Sequence, residues 1–161
     1  MENDWKIIDG TNLILGRLCS KVAKLTLMGE KIVIINAKNV QISGNKNQIV
    51  AHYIHYKNIK TRSNPKKGPF RVGIRPDIFI RKTIRGMLPM KKQRGKDAIA
   101  RVHAYISSIP EAKKAQYGTI EKMELPASKF NYERLSHKSV QVSEVCKIIG
   151  WNQGKMTEGV E

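Results

Sequence analysis

Ile32-Val33-Ile34-Ile35 is the stretch that most restricts the fold. Four β-branched residues in succession are stiff at χ1 and favour an extended backbone. None of the four is polar, so both faces of the strand must be covered. A strand buried on both sides belongs inside a parallel sheet with helices packed over it. The residues before it supply a helix. Leu15, Leu18, Cys19, Val22 and Leu25 recur at helical spacing, while Arg17, Lys21 and Lys24 lie off that stripe. Gly29 is placed to stop this helix in a left-handed conformation. Earlier still, residues 5–8 (WKII) form a short apolar segment that runs into an Asp9-Gly10-Thr11-Asn12 turn. Strand, helix and strand within about thirty residues make a βαβ unit, whose crossover is expected to be right-handed.

Farther along, Ile42-Ser43-Gly44 is expected to turn the chain. Ser43 then caps a helix over residues 46–57 whose buried side is Ile49, Val50, Tyr53 and Ile54. Residues 58–75 hold two prolines, two glycines and six basic residues with no clean period, which predicts an extended loop that folds against RNA. Pro76 suits the first turn of a helix, and Ile80, Ile84, Met87 and Leu88 follow as one apolar stripe that Pro89 ends. A polar, basic stretch (90–96) precedes a second short helical pattern of Ala98, Ile99 and Val102. Residues 102–106 alternate like a closing strand, residues 111–139 show little pattern, and Ser143 is expected to cap a helix with Val145, Ile148 and Ile149 inward. Gly150-Trp151 ends it. The whole reads as one domain over 1–151 with a frayed tail at 152–161.

Charge narrows the function. The net charge is +17, the pI is near 10.1, and residues 57–101 carry fifteen Lys/Arg against Asp77 and Asp97. Surface charge runs usually intersperse acids at i±4; here acids are almost missing, so the opposing surface must be a polyanion. A membrane is the weaker choice, because no apolar run approaches the ~20 residues that span a bilayer. The Met-Glu-Asn-Asp start does not resemble a signal peptide, so a cytoplasmic location is expected. Cys19 and Cys146 sit among apolar neighbours and read as reduced, buried thiols. Aromatics are 6% of the chain, too few for the stacking platforms that grip single strands. Arg and Lys without aromatics suit the backbone of folded, largely duplex RNA.

Catalytic and cofactor chemistry finds little support. Gly10-x5-Gly16-Arg17-Leu18 occupies the place of a P-loop, but its glycine spacing is too long and it lacks both the Lys and the Ser/Thr for Mg²⁺. A backbone contact to an RNA phosphate at this helix start, with Arg17 beside it, is the better expectation. His52 and His55 lack a third metal ligand nearby, and no cofactor or metal is expected. The RNA-binding candidates are therefore Arg17, with Lys60, Arg62, Lys66, Lys67 and Arg71 in the loop. They continue through Arg75, Arg81, Lys82 and Arg85 on the helix and Lys91, Lys92, Arg94 and Lys96 after it. An RNA-modifying or nucleotide-dependent enzyme on the same sheet topology is the alternative, since fold does not dictate function.

Several segments also resemble a known family. Ile8-Asp9-Gly10 with residues 15–24 (LGRLCSKVAK), Ile34-Ile35-Asn36-Ala37, Ile42-Ser43-Gly44 and, most distinctively, Arg85-Gly86-Met87-Leu88-Pro89 followed by Arg94-Gly95 resemble the thirteenth universal large-subunit ribosomal protein family. The short spacer between Gly29 and Ile32, and residues 91–95 after the RGMLP motif, resemble its archaeal-type members. The family usually has His after that proline, where this chain has Met90. The resemblance implies a three-layer α/β/α fold with a four-stranded parallel sheet, carrying here a basic loop and helix extension. It also implies large-subunit rRNA and neighbouring ribosomal proteins as partners, no small-molecule substrate and no catalysis.

Overall fold

The computed structural model describes residues 5–59, 73–134 and 138–152. β1 (Trp5–Asp9), α1 (Leu15–Leu27) and β2 (Lys31–Ile35) form the expected unit, the strands pairing in parallel from Trp5↔Lys31 to Asp9↔Ile35. β3 (Gln41–Ser43), α2 (Lys46–Asn58), α3 (Pro76–Met87) and α4 (Gln93–Ala100) follow. The chain continues through β4 (Val102–Ala104), α5 (Glu111–Lys114), β5 (Ile120–Lys122), α6 (Ala127–Phe130), β6 (Ser139–Gln141) and α7 (Val142–Ile149). The main sheet has four parallel strands in the order β4-β2-β1-β5, and β3 pairs with β6 in a small antiparallel sheet.

Period-two alternation divides the main sheet's two faces. Ile8, Ile32 and Ile34 point into a core shared with Leu18 and Val22 of α1, Ile80 and Ile84 of α3, and Ala98 of α4. Trp5, Ile7, Val33 and Ile35 point the other way, against Ile109 and Tyr117. Helices thus cover one face, and α5 with its following 3₁₀ turn (Ala115–Tyr117) covers the other in a thinner third layer. Each fully buried aliphatic side chain contributes roughly 1.5–3 kcal/mol of transfer free energy. Cys19 and Cys146 are free and buried, and burial pushes both thiols up to about 12, so they remain protonated.

Gly10 makes the crossing of β1 and the Asn36 turn possible. A Cβ there would lie 2.8 Å from Val40 Cγ2 and 3.0 Å from the Ile35 carbonyl oxygen, which accepts the Gly10 N–H at 2.9 Å. Close packing therefore accounts for this glycine. The carboxylate of Asp9 accepts from the Thr11 N–H and hydroxyl and from Asn36 Nδ2. Burial alone would raise its pKa, but these hydrogen bonds outweigh burial and hold it below the ordinary range.

Several local expectations need correction. Ser43 is held in β3, and Asn45 caps α2 by accepting from the Asn47 N–H at 3.2 Å. The inner side of α2 is only half-buried, and Ile54 is exposed. Met87 and Ile148 are exposed: Met87 lines a shallow groove with Leu27 and Met28 of the α1 end, and Ile148 lies off the buried side of α7. α4 begins at Gln93, within the supposed polar stretch, and Val102 belongs to β4. α7 starts after Gln141, with Ser143 inside it, while Gly150 closes it at φ +119°. β5 lies in the stretch that showed little pattern. Of the tail expected at 152–161, all but Asn152 falls outside the described residues, as do residues 60–72 of the loop.

Candidate nucleic-acid interface

α3 presents a cationic side because its other side is fixed. Phe79, Ile80 and Ile84 are buried, Pro76 starts the helix, and Asp77 lies in its first turn, where the helix dipole favours an acid. Arg81 and Arg85, one turn apart on the opposite side, are exposed. Arg75 is already engaged: its Nε and Nη2 donate to the two Asp77 carboxylate oxygens at 3.1 and 2.8 Å. Lys82 is half-buried.

After α3 the chain folds tightly back on itself. The Met90 N–H donates to the Leu88 carbonyl at 2.8 Å, Lys92 to Pro89 at 3.0 Å and Gly95 to Lys92 at 3.1 Å. With the backbone tied in this way, Lys91, Lys92, Arg94 and Lys96 are all exposed. Asp97 is held by Gln93 Nε2 at 2.9 Å and neutralises none of them. Among the described residues, Arg81, Arg85, Lys91, Lys92, Arg94 and Lys96 make no ion pair. Lys92, Arg94 and Lys96 moreover crowd the start of α4, whose first turn has no acid. Cations there oppose the helix dipole, whereas a phosphate would satisfy both the dipole and the side chains.

Arg17 lies elsewhere, on the exposed side of α1. Its Nη1 donates to the Lys129 carbonyl at 2.5 Å, and it shares a shallow groove with Lys21, Lys24 and Lys129. Lys21 and Lys24 were visible in the sequence as cations off the α1 stripe; Lys129 reaches this groove only through the tertiary fold. Lys60, Arg62, Lys66, Lys67 and Arg71 lie outside the described residues.

At the open edge of the main sheet, Tyr117's hydroxyl lies 2.6 Å from His103 Nδ1 and also contacts the Tyr105 hydroxyl. Trp5 packs against the His103 ring at 4.9 Å between centroids. Burial, and then the charges of Arg81 and Lys113, lower the His103 pKa. The folded state therefore prefers the neutral imidazole, and its contribution is complete above the unfolded-state pKa. That contribution is lost as pH falls below ~6.5 towards the folded value. Thermal melts should show a smaller loss of stability between pH 7 and 5 in His103→Gln than in wild type. Parallel pH profiles for the two proteins would remove His103 as the group responsible.

A family model described as ribosomal protein L13 matches residues 3–111. The chain is 38% identical to the large ribosomal subunit protein uL13 of Methanococcoides burtonii over 145 residues, 89% of this chain and 96% of that one. It is 46% identical over 105 residues to the uL13 of Methanopyrus kandleri, covering 65% of this chain and just under two thirds (64%) of that relative. With the uL13 of Caenorhabditis elegans it shares 36% identity over 152 residues, 94% of this chain and 72% of that protein.

Proposed function

This chain belongs to the ribosomal protein L13 family, and from that premise we propose that it binds large-subunit rRNA through phosphate-backbone contacts made by the α3–α4 surface. A structural role in the large ribosomal subunit, without catalysis, comes with the family. The finer reading rests on one observation: six exposed cations that make no ion pair among the described residues, half of them at the start of a helix whose dipole disfavours them. RNA phosphates would relieve that repulsion, and the protein in turn would offset repulsion between phosphates at a folded rRNA junction during subunit assembly. Arg17 and the basic residues of 60–72 extend the same proposal to further RNA contacts. A single domain over 1–151, ribosomal-protein neighbours and a cytoplasmic site of action complete the reading.

The test is the salt dependence of binding. Replacing Arg81, Arg85 and Arg94 together by Gln should leave the fold intact, since all three side chains are exposed. Each lost phosphate contact reduces the magnitude of the slope of log K against log salt by roughly 0.7–0.9, so the triple variant should lose about two to three units of slope. An unchanged slope takes this surface out of the interface.

A further inference from the structure

β4 is the outermost strand on one side of the main sheet. Its inner side follows from two hydrogen bonds: Ile32 N–H donates to the Arg101 carbonyl at 3.0 Å, and Tyr105 N–H donates to the Ile34 carbonyl at 2.8 Å. In a parallel ladder, alternate residues direct both backbone polar groups to the same neighbour. Arg101, His103 and Tyr105 therefore face β2, and the N–H and C=O of Ala104 point away from the sheet.

This edge opens into a cavity of about 400 Å³ whose lining includes Ala104. Such a volume falls in the range of small-ligand sites. α3 forms one wall and α5 with its following turn the other, contributing Arg81 and Lys113 respectively. The Arg75–Asp77 pair is self-neutralised, so Arg81 and Lys113 set the sign of the cavity. Their fields meet at His103, whose imidazole both disfavour as a cation. The Lys113 ammonium also stands 5.9 Å from the centroid of the Tyr105 ring. Tyr117 ties His103 and Tyr105 together, which gives the cavity a fixed floor.

Two cations beside a free backbone donor–acceptor pair call for a ligand with a phosphate at one end and a planar hydrogen-bonding edge at the other. We propose that this cavity takes one nucleotide, its phosphate held by Arg81 and Lys113 and its base edge by the outward N–H and C=O of Ala104. A polypeptide adding to the edge would need more than a three-residue strand and would leave both cations unanswered. The proposal deepens the RNA-binding reading and rests on it for the class of occupant. The nucleotide comes from an RNA chain, turned out of its stack, or is a free mononucleotide.

The full chain, isotope-labelled, is titrated with AMP, with a single-stranded RNA pentamer and with inorganic phosphate while the Ala104 amide is followed. Either nucleotide should shift it, and Lys113→Gln should weaken binding about tenfold, the loss of one charge-assisted contact. Unchanged Val22 and Val33 resonances, both buried away from the cavity lining, would show that the variant still folds. A shift with AMP supports the proposal with a free nucleotide as the source; a shift with the pentamer alone supports it with RNA as the source. Inorganic phosphate reproducing the full shift, no shift with any of the three, or unchanged affinity in Lys113→Gln would each overturn it. Arg85 and Arg94 do not line the cavity, so an Arg85→Gln, Arg94→Gln double variant, read by its salt slope, tests the α3–α4 surface separately.

Discussion

Gly95→Ala is expected to destabilise the fold by about 3 kcal/mol, the upper part of the range for forcing atoms into a filled site. A Cβ at this position would lie 2.3 Å from the Pro89 carbonyl oxygen, 2.6 Å from its carbon and 3.2 Å from the Met90 nitrogen. All three are backbone atoms, so no side chain can swing aside. The turn joining α3 to α4 must open, weakening the hydrogen bonds of Lys92 and Gly95 that close it. For a chain of this size the thermal midpoint should fall by roughly 6–12 °C. If the α3–α4 surface binds rRNA as proposed, that binding should fall as well at temperatures where the variant is still folded, because Lys91, Lys92 and Arg94 lose their fixed spacing. Gly86→Ala is the control: nothing lies within 4 Å of its Cβ position, and α3 should gain about 0.5–1 kcal/mol. Equal midpoints for the two variants would refute the argument from packing.

Trp151→Ala should cost about 3–5 kcal/mol, the usual loss for truncating a buried aromatic. Trp151 is 5% exposed and belongs to the main core cluster, although it lies forty residues beyond the family-model match. Its backbone N–H donates to the Cys146 carbonyl at 2.8 Å, and the left-handed Gly150 turns the chain so that the indole returns over the core. Urea unfolding should give a lower midpoint with an unchanged m-value. Trp151→Phe should recover a large part of the loss. A cost below ~1 kcal/mol would mean that the site collapses around the missing ring.

The unit β1–α1–β2 was legible because its signals are periodic and local. Ile32 to Ile35 admit burial on both faces, and Leu15, Leu18, Val22 and Leu25 share one side of a helix. α3 was legible for the same reason, together with the cations on its free side. β5 was not, since only Ile120 of its three residues is apolar and its place beside β1 is set by pairing. Ser43 and Asn45 are both good caps by residue type; residues 139–141 decide between them by drawing Ser43 into β3. α4 begins before its apolar positions because Gly95 packs by having no side chain, which a hydrophobic period does not register. Each cation of the α3–α4 surface was readable singly. The cavity over Ala104 was not, because its two walls come from opposite faces of the sheet.

The pairing of β3 with β6 also sets a clock. Gln41 faces Gln141, a hundred positions later, and the Val142 N–H reaches the Val40 carbonyl at 2.9 Å. A growing polypeptide can join β1, α1 and β2 early, but this small sheet cannot close until those hundred residues have been made. At ~5–20 residues per second the interval is about 5–20 s. Throughout it Val40, fully buried in the finished molecule, lacks the α7 side chains that share its core cluster, Val142 and Cys146. The cationic stretch of 57–101 is made within the same interval, so a nascent chain carries those fifteen Lys/Arg, half of its total of 30, before its core is complete.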